Sequence, residues 1–285
     1  MTTRPKKAGV IGWPIGHTLS PLIHRYWAEK EGADAVYLPL SVEPGRQSLA
    51  RAIASVRAMG FAGVNVTLPH KEDALRAADA ASDSARAVGA ANMLTFVSGQ
   101  MRADNSDATG FAAAIAPMLA NRPEVRAFVL GGGGAARAVA FALRELLSSA
   151  SRRVRLAVSN RTAERAAAIA SAFGGEAIAW ADRAKVLGGA DLLVNATSLG
   201  MRGMPALEID IDSLPQTALV ADIVYAPLAT PLLRAARDRG LRTLDGLGML
   251  MHQAAPAYQS WLGARAPVDA LLRSRLEAAL AERAQ

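Results

Sequence analysis

The chain has no cysteine. That excludes a disulfide framework, a thiolate nucleophile and any cysteine-ligated metal. It also lacks an apolar run approaching the ~20 residues that a membrane-spanning helix needs. Histidine is scarce: His17, His24, His70 and His252 are the only four, and none stands in a metal-ligand spacing such as H-E-x-x-H, so no metal is expected. Lysine is scarce too, with Lys6, Lys7, Lys30, Lys71 and Lys185 the only five. The start, Met1 to Lys7, is basic, but the stretch Ala8 to Ile15 is too short and too broken by Gly and Pro for a secretory core. A cytoplasmic location is the expectation.

What is present fits a globular protein. Of 285 residues, 51% are hydrophobic and 20% charged, enough for one large domain or two ordinary ones. The net charge of +7 raises the question of nucleic acid. The arginines are scattered, however, with no basic run interleaved with aromatics, so no nucleic-acid partner is expected. A positive balance equally suits a small anion, such as a carboxylate or a phosphorylated dinucleotide.

The first half alternates strands and helices. Ala8 to Gly12, Val36 to Leu40 and Ala62 to Val66 read as strands. Ser20-Pro21 reads as a helix start, with Ser as N-cap. Residues 45–59 read as an amphipathic helix presenting Leu49, Ile53, Val56 and Met59, and Pro69 as the start of another helix. This βαβαβ pattern predicts a mostly parallel sheet. The second half begins again with the strand Ala127 to Leu130, a helix from about Ala135 to Leu147, strand Val154 to Val158 and helix Thr162 to Phe173. Asp191 to Asn195 and Leu219 to Val224 follow as strands, making a Rossmann-type series. The tail, Leu247 to Ala284, reads as helical with a break near Gly263 and Pro267.

Gly131-x-Gly133-x-x-Ala136 lies between an apolar strand and a helix. In that context the glycines permit a tight turn and close backbone approach to a pyrophosphate resting on a helix N-terminus. Four adjacent glycines also read as a plain flexible turn. The next strand ends in Val158-Ser159-Asn160-Arg161-Thr162, with Arg165 one helical turn on. No acid is there to take a ribose 2′-hydroxyl, whereas Arg161 offers a planar fork to a 2′-phosphate, so NADP is expected over NAD. Elsewhere, Lys71 and Asp107 offer an amine and a carboxylate for proton chemistry.

With these residues in view the chain resembles the shikimate dehydrogenase family along nearly its whole length. The resemblance is carried by His17-Thr18-Leu19-Ser20-Pro21-Leu22-Ile23-His24, Asn65-Val66-Thr67-Leu68-Pro69-His70-Lys71, Gly89-Ala90-Ala91-Asn92 and Asp104-Asn105-Ser106-Asp107. It continues through the glycine loop, Asn160-Arg161-Thr162, Asn195-Ala196-Thr197-Ser198, Asp222-Ile223-Val224-Tyr225, and Asp245 to Leu250 with Gln253. It implies an α/β fold: an N-terminal substrate domain of residues 1–105 plus about 246–285, a Rossmann-type NADP domain of 106–245, and a cleft between them. It implies reversible reduction of 3-dehydroshikimate to shikimate with NADP, in aromatic amino acid biosynthesis, by a monomer or homodimer. Quinate or an aminoshikimate is the alternative substrate, and a non-catalytic NADP-binding regulator the alternative of another class.

The resemblance also implies roles. Thr18 and Ser20 hold the substrate carboxylate; a plain N-cap is the other reading of Ser20. Thr67, Asn92, Tyr225 and Gln253 hold the ring hydroxyls or the carboxylate. Read without the resemblance, Asn92 is a turn cap, Tyr225 core, Thr67 a strand end and Gln253 a solvated helix face. Lys71 and Asp107 are the catalytic pair, and which of them is the base stays open. Gly131, Gly132, Gly133, Gly134 and Ala135, with Asn160, Arg161, Thr162 and Arg165, contact the cofactor. Ile223 and Gly246 lie near the nicotinamide, and Asp83 is an acid near the cofactor. Three positions depart from the usual pattern: Thr18 for serine, Ala108 for the glycine after Asp107, and Ala226 for asparagine.

Overall fold

A computed structural model describes residues 5–149 and 152–283. The first four residues of the basic start, and Ala284 at the end of the helical tail, lie outside them. The chain divides into two compact units, residues 1–106 with 251–279, and residues 107–250 with 280–285.

The first unit contains β1 (Lys6–Gly12), α1 (Ser20–Glu31), β2 (Ala35–Ser41), α2 (Arg46–Ala58), β3 (Gly63–Val66), α3 (Lys71–Ala77), β4 (Ala80–Ala81), α4 (Asp83–Val88), β5 (Met93–Val97) and β6 (Gln100–Asp104). Its sheet runs β2-β1-β3-β5-β6-β4. β1 pairs in parallel with β2 and β3, as the βαβαβ reading expects, whereas β5 is antiparallel to both β3 and β6. The β5–β6 hairpin was not anticipated. Its turn is Ser98-Gly99, both at positive φ, the geometry that fits the twist of a two-residue hairpin.

Three local expectations are corrected. Ser20 is the first residue of α1, not its N-cap, which is Leu19; the Ser20 N–H donates to Thr18 Oγ1 at 3.2 Å. α3 starts at Lys71 rather than Pro69, because His70 N bonds Thr67 O in a turn first and His70 then serves as N-cap. Leu49, Ile53 and Val56 are buried on one stripe of α2, but Met59 lies just past the helix and is 52% exposed. The apolar period therefore ends one turn earlier than it reads.

The second unit contains β7 (Glu124–Leu130), α6 (Gly134–Ser149), β8 (Arg153–Ser159), α7 (Ala163–Phe173), β9 (Glu176–Ile178), β10 (Leu192–Asn195), β11 (Leu219–Asp222), α8 (Pro231–Asp238) and β12 (Arg242–Leu244). α5 (Ser106–Leu119) begins at the boundary between the units, α9 (Gly246–Trp261) spans it, and α10 (Ala270–Glu282) lies near the chain's end. All five pairings in the order β12-β11-β10-β7-β8-β9 are parallel. Phe128, Leu130, Leu193 and Val220 are buried in the core beneath this sheet, so its strands read as apolar runs and not as alternations. The strand order reverses between β7 and β10, the place where doubly wound sheets open a crevice at the carboxyl ends of their strands.

Candidate active site

In the first unit, hydrogen bonds tie the candidate residues into small groups. Thr18 Oγ1 donates to Ser20 Oγ at 3.2 Å. The Tyr37 phenol donates to Asn65 Oδ1 at 2.7 Å. Asn65 Nδ2 donates to the Asn92 carbonyl at 3.0 Å. The Asn92 side chain accepts from Ser106 N at 2.8 Å, which holds the first N–H of α5 beside Asp107, and donates to Gln253 Oε1 at 3.2 Å. Lys71 joins through its backbone, whose carbonyl accepts from Ala91 N at 2.8 Å. Thr67 follows β3 directly, with its N–H on Ile11 O at 2.8 Å and its carbonyl on His70 N at 3.0 Å.

These contacts give each residue its local setting. Asn92 is buried, and it links β5, the start of α5 and α9 rather than capping an exposed turn. Gln253 is half-buried on α9 and engaged by Asn92, not on a solvated face. Ser20 is buried, and its hydroxyl accepts from Thr18 Oγ1. Lys71 is half-buried in the first turn of α3, and Asp107 is buried in the first turn of α5. Asp83 stands apart. It opens α4, its side chain is almost fully exposed, and it pairs with Arg86 at 2.7 Å.

Beneath these residues lies an aromatic group. His24 stacks on Tyr37 with centroids 3.7 Å apart and planes 8° from parallel. Complete burial lowers the His24 imidazole to about 3, so the ring is neutral at working pH. Burial pushes the Tyr37 phenol well above its ordinary value, so it keeps its proton.

In the second unit the glycine loop leaves β7 with Gly131 at φ 136°. A Cβ there would stand 2.8 Å from the Ala196 carbonyl, and one on Gly132 would stand 2.7 Å from Asn160 Cγ and 2.8 Å from Arg165 Cβ. Glycine is required at both positions by close approach. A Cβ on Gly133 would meet nothing within 4 Å, so the outer face of the loop is open. Gly134 and Ala135 begin α6, whose unpaired N–H groups favour an anion. Asn160 folds back onto Thr162 O at 3.0 Å, leaving Arg161, Thr162 and Arg165 exposed at the end of β8. Among the described residues neither arginine has a salt-bridge partner. A cradle that only glycine can line, a helix N-terminus and two available guanidinium groups fit a dinucleotide carrying a 2′-phosphate.

At the ends of β10 and β11 a second polar group fixes the loop that carries Ile223 and Tyr225. Asp222 accepts from Asn195 Nδ2 at 3.0 Å, Val224 N at 3.0 Å and Thr230 Oγ1 at 2.8 Å, while burial pushes its carboxyl up to about 6. Gly246 lies against this loop, where a Cβ would clash with the Ile223 carbonyl. Tyr225 is half-buried, with its phenol raised by desolvation. Tyr37, within the strand Val36 to Leu40, and Asn65, Ser106 and Asp222, within the segments that carry the resemblance, have no role of their own in the sequence pattern. For Tyr37 the available signal was a phenol within an apolar strand, since a buried hydroxyl needs a partner.

Residues 10–94 match the shikimate dehydrogenase substrate binding domain, and residues 246–274 match the shikimate 5′-dehydrogenase C-terminal domain. A shikimate dehydrogenase (NADP(+)) of Rhodopseudomonas palustris strain HaA2 is 49% identical over 279 residues, covering 96% of each chain. Among solved structures, the shikimate 5-dehydrogenase of Thermus thermophilus in complex with NADP(H) and shikimate is 36% identical with a TM-score of 0.84, covering 96% of this chain and 99% of that one. The quinate dehydrogenase of Corynebacterium glutamicum in complex with NAD is 28% identical with a TM-score of 0.85, covering 97% and 100%. The backbone is thus shared equally with enzymes of different substrate and cofactor, and side chains must separate them.

Proposed function

The chain belongs to the shikimate dehydrogenase family, and from that premise we propose how its residues divide the work of an NADP-dependent oxidoreductase that interconverts 3-dehydroshikimate and shikimate. The reaction acts on a CH–OH group and serves aromatic amino acid biosynthesis. Thr18 and Ser20, at the start of α1, hold the substrate carboxylate. Thr67, Asn92, Tyr225 and Gln253 hold the ring hydroxyls or the carboxylate. Two sets of hydrogen bonds, Thr18 with Ser20 and Tyr37 through Asn65 and Asn92 to Gln253, support this assignment, because they hold polar side chains in place before any ligand arrives.

NADP is held by the loop Gly131 to Ala135, with Asn160, Arg161, Thr162 and Arg165 at the 2′-phosphate, Ile223 and Gly246 at the nicotinamide end, and Asp83 as a further contact. When bound, NADP supplies the hydride acceptor, and NADPH the donor in the reverse direction. The protein's own task is the proton on the alcohol oxygen. Lys71 and Asp107 take it during oxidation and return it during reduction, one as base or both as a relay. Ala108, the departure beside Asp107, is buried in the first turn of α5, where alanine is the best helix former, so it leaves the carboxylate on an ordinary helix.

Among the described residues no helix is long and apolar enough to cross a membrane. The enzyme is taken to work in the cytoplasm, as a monomer or homodimer. The observation that carries the reading is the 49% identity over 96% of the chain, joined to an intact Lys71 and Asp107. Initial rates with shikimate and with quinate, each with NADP and NAD, test it. Shikimate with NADP is the expected fastest pair; a faster rate with quinate, or with NAD, contradicts the reading.

A further inference from the structure

Two short segments of the first unit are laced together. One is Ala90-Ala91-Asn92, between α4 and β5; the other is Asp104-Asn105-Ser106, from the end of β6 into α5. The Asn92 N–H donates to the Asp104 carbonyl at 3.1 Å, and the Ser106 N–H donates to Asn92 Oδ1 at 2.8 Å. Between these two bonds, Asn105 donates its side-chain Nδ2 to the Ala90 carbonyl at 2.8 Å and its own N–H to Asp104 Oδ1 at 2.7 Å. A carbonyl only accepts, so the amide stands with Nδ2 toward Ala90. Asp104 Oδ1 is held in turn by the hydroxyls of Ser82 and Ser84. On the other segment, the Ala91 N–H donates to the Lys71 carbonyl at 2.8 Å. Asn105 and Ala90 are both buried.

We propose that Asn105 is a positioning residue for Asp107. This inference rests on the reading of Asp107 as a proton-transfer group. α5 begins at Ser106, and Asp107 stands in its first turn, two residues after Asn105. The point from which the carboxylate projects is therefore set by how the turn 104–106 is pinned. Bonds at Asp104 and Ser106 hold its two ends, and the Asn105 amide holds its middle. The same amide ties the turn to the segment whose Ala91 holds the Lys71 backbone. Without it the buried Ala90 carbonyl loses this donor, and the turn settles differently. A shift of about 1 Å at a reacting group costs on the order of 10²-fold in rate. Asn105 touches no reacting atom in this scheme and acts only through Asp107.

The test is a double-mutant cycle on NADPH formation from shikimate, with the wild-type enzyme, Asn105→Ala, Asp107→Asn and the double variant. The expected result is a kcat lower by about tenfold to hundredfold in Asn105→Ala, with KM for shikimate and for NADP within about threefold. In the Asp107→Asn background the same substitution lowers kcat by no more than about twofold, because no carboxylate is left to misplace. A general loosening of the fold would lower kcat by the same factor in both backgrounds. Should Asn105→Ala fail to fold, Asn105→Ser, which keeps a small donor in the pocket, is read in the same cycle, with a smaller fall in kcat and the same dependence on Asp107. A wild-type kcat in these variants, or a fall that adds in full to Asp107→Asn, overturns the role of Asn105 alone. An Asp107→Asn enzyme with near-normal kcat removes the proton-transfer reading of Asp107 and this proposal with it.

Discussion

Arg161→Ala probes the cofactor assignment quantitatively. Arg161 is exposed at the end of β8, beside Asn160 and within one turn of Arg165, and it has no salt-bridge partner among the described residues. A charge-assisted hydrogen bond to a phosphate contributes roughly 1.5–3 kcal/mol. Solvent and salt reach this side chain, which trims the expected loss to about 1–2 kcal/mol, or roughly fivefold to thirtyfold at ~1.4 kcal/mol per decade. The loss falls on NADP alone, because NAD has no 2′-phosphate to lose. The assay is kcat/KM for both nicotinamides at saturating shikimate, at two ionic strengths. The NADP/NAD ratio should drop by that factor, and the drop should shrink at high salt. A variant whose NADP and NAD efficiencies decline in parallel, or whose ratio holds, refutes the assignment of Arg161 to the 2′-phosphate.

Gly131→Ala places a Cβ 2.8 Å from the Ala196 carbonyl at φ 136°, so the loop has to shift. The expected outcome is a KM for NADP raised about tenfold or more with shikimate binding retained, read by titrating each ligand separately; an unchanged cofactor KM counts against the cradle. His24 predicts an acid sensitivity. Its folded value of about 3 lies below its unfolded value near 6.5, so between them the unfolded chain binds a proton that the folded chain refuses. Stability is therefore lost as pH falls from about 6.5 toward 3, by roughly 1.4 kcal/mol per pH unit from this group. Urea midpoints of His24→Phe should show a pH slope shallower by one proton across that window; equal slopes would mean that His24 is charged in the fold. Asp222→Ala leaves Thr230 Oγ1, Asn195 Nδ2 and Val224 N without their shared acceptor, so it should cost several kcal/mol and weaken NADP as well, measured by thermal shift with and without cofactor. A stabilised variant would contradict the loop-fixing role.

The second unit was readable because its parallel strands are buried on both faces, so that Ala127 to Leu130 and Leu192 to Val194 read as unbroken apolar runs. The glycine loop was readable because a turn at positive φ with backbone at 2.8 Å admits no other residue. Helix starts were read less well. α1 does start at Ser20, but with Leu19 as N-cap, and α3 starts two residues after Pro69, because the His70 N–H bonds Thr67 O in a turn first. The β5–β6 hairpin escaped notice because its residues read as chemistry, with Asn92 at one end and Asp104 at the other. Tyr37 had no local signal beyond its phenol, since Asn65 lies 28 residues away in sequence and only the β2-β1-β3 order brings them together. Asp222 likewise gave no local signal, since two of its three donors, Asn195 and Thr230, come from other elements.

In the proposed mechanism Lys71, as base or in relay with Asp107, helps to move the proton of the substrate alcohol. The most direct test is the rate of NADPH formation from saturating shikimate and NADP, wild type against Lys71→Ala. The expected outcome is a kcat lower by about 10²–10⁴-fold, the usual worth of general acid–base help, with KM for NADP near its wild-type value. A variant that keeps near-normal kcat would contradict it.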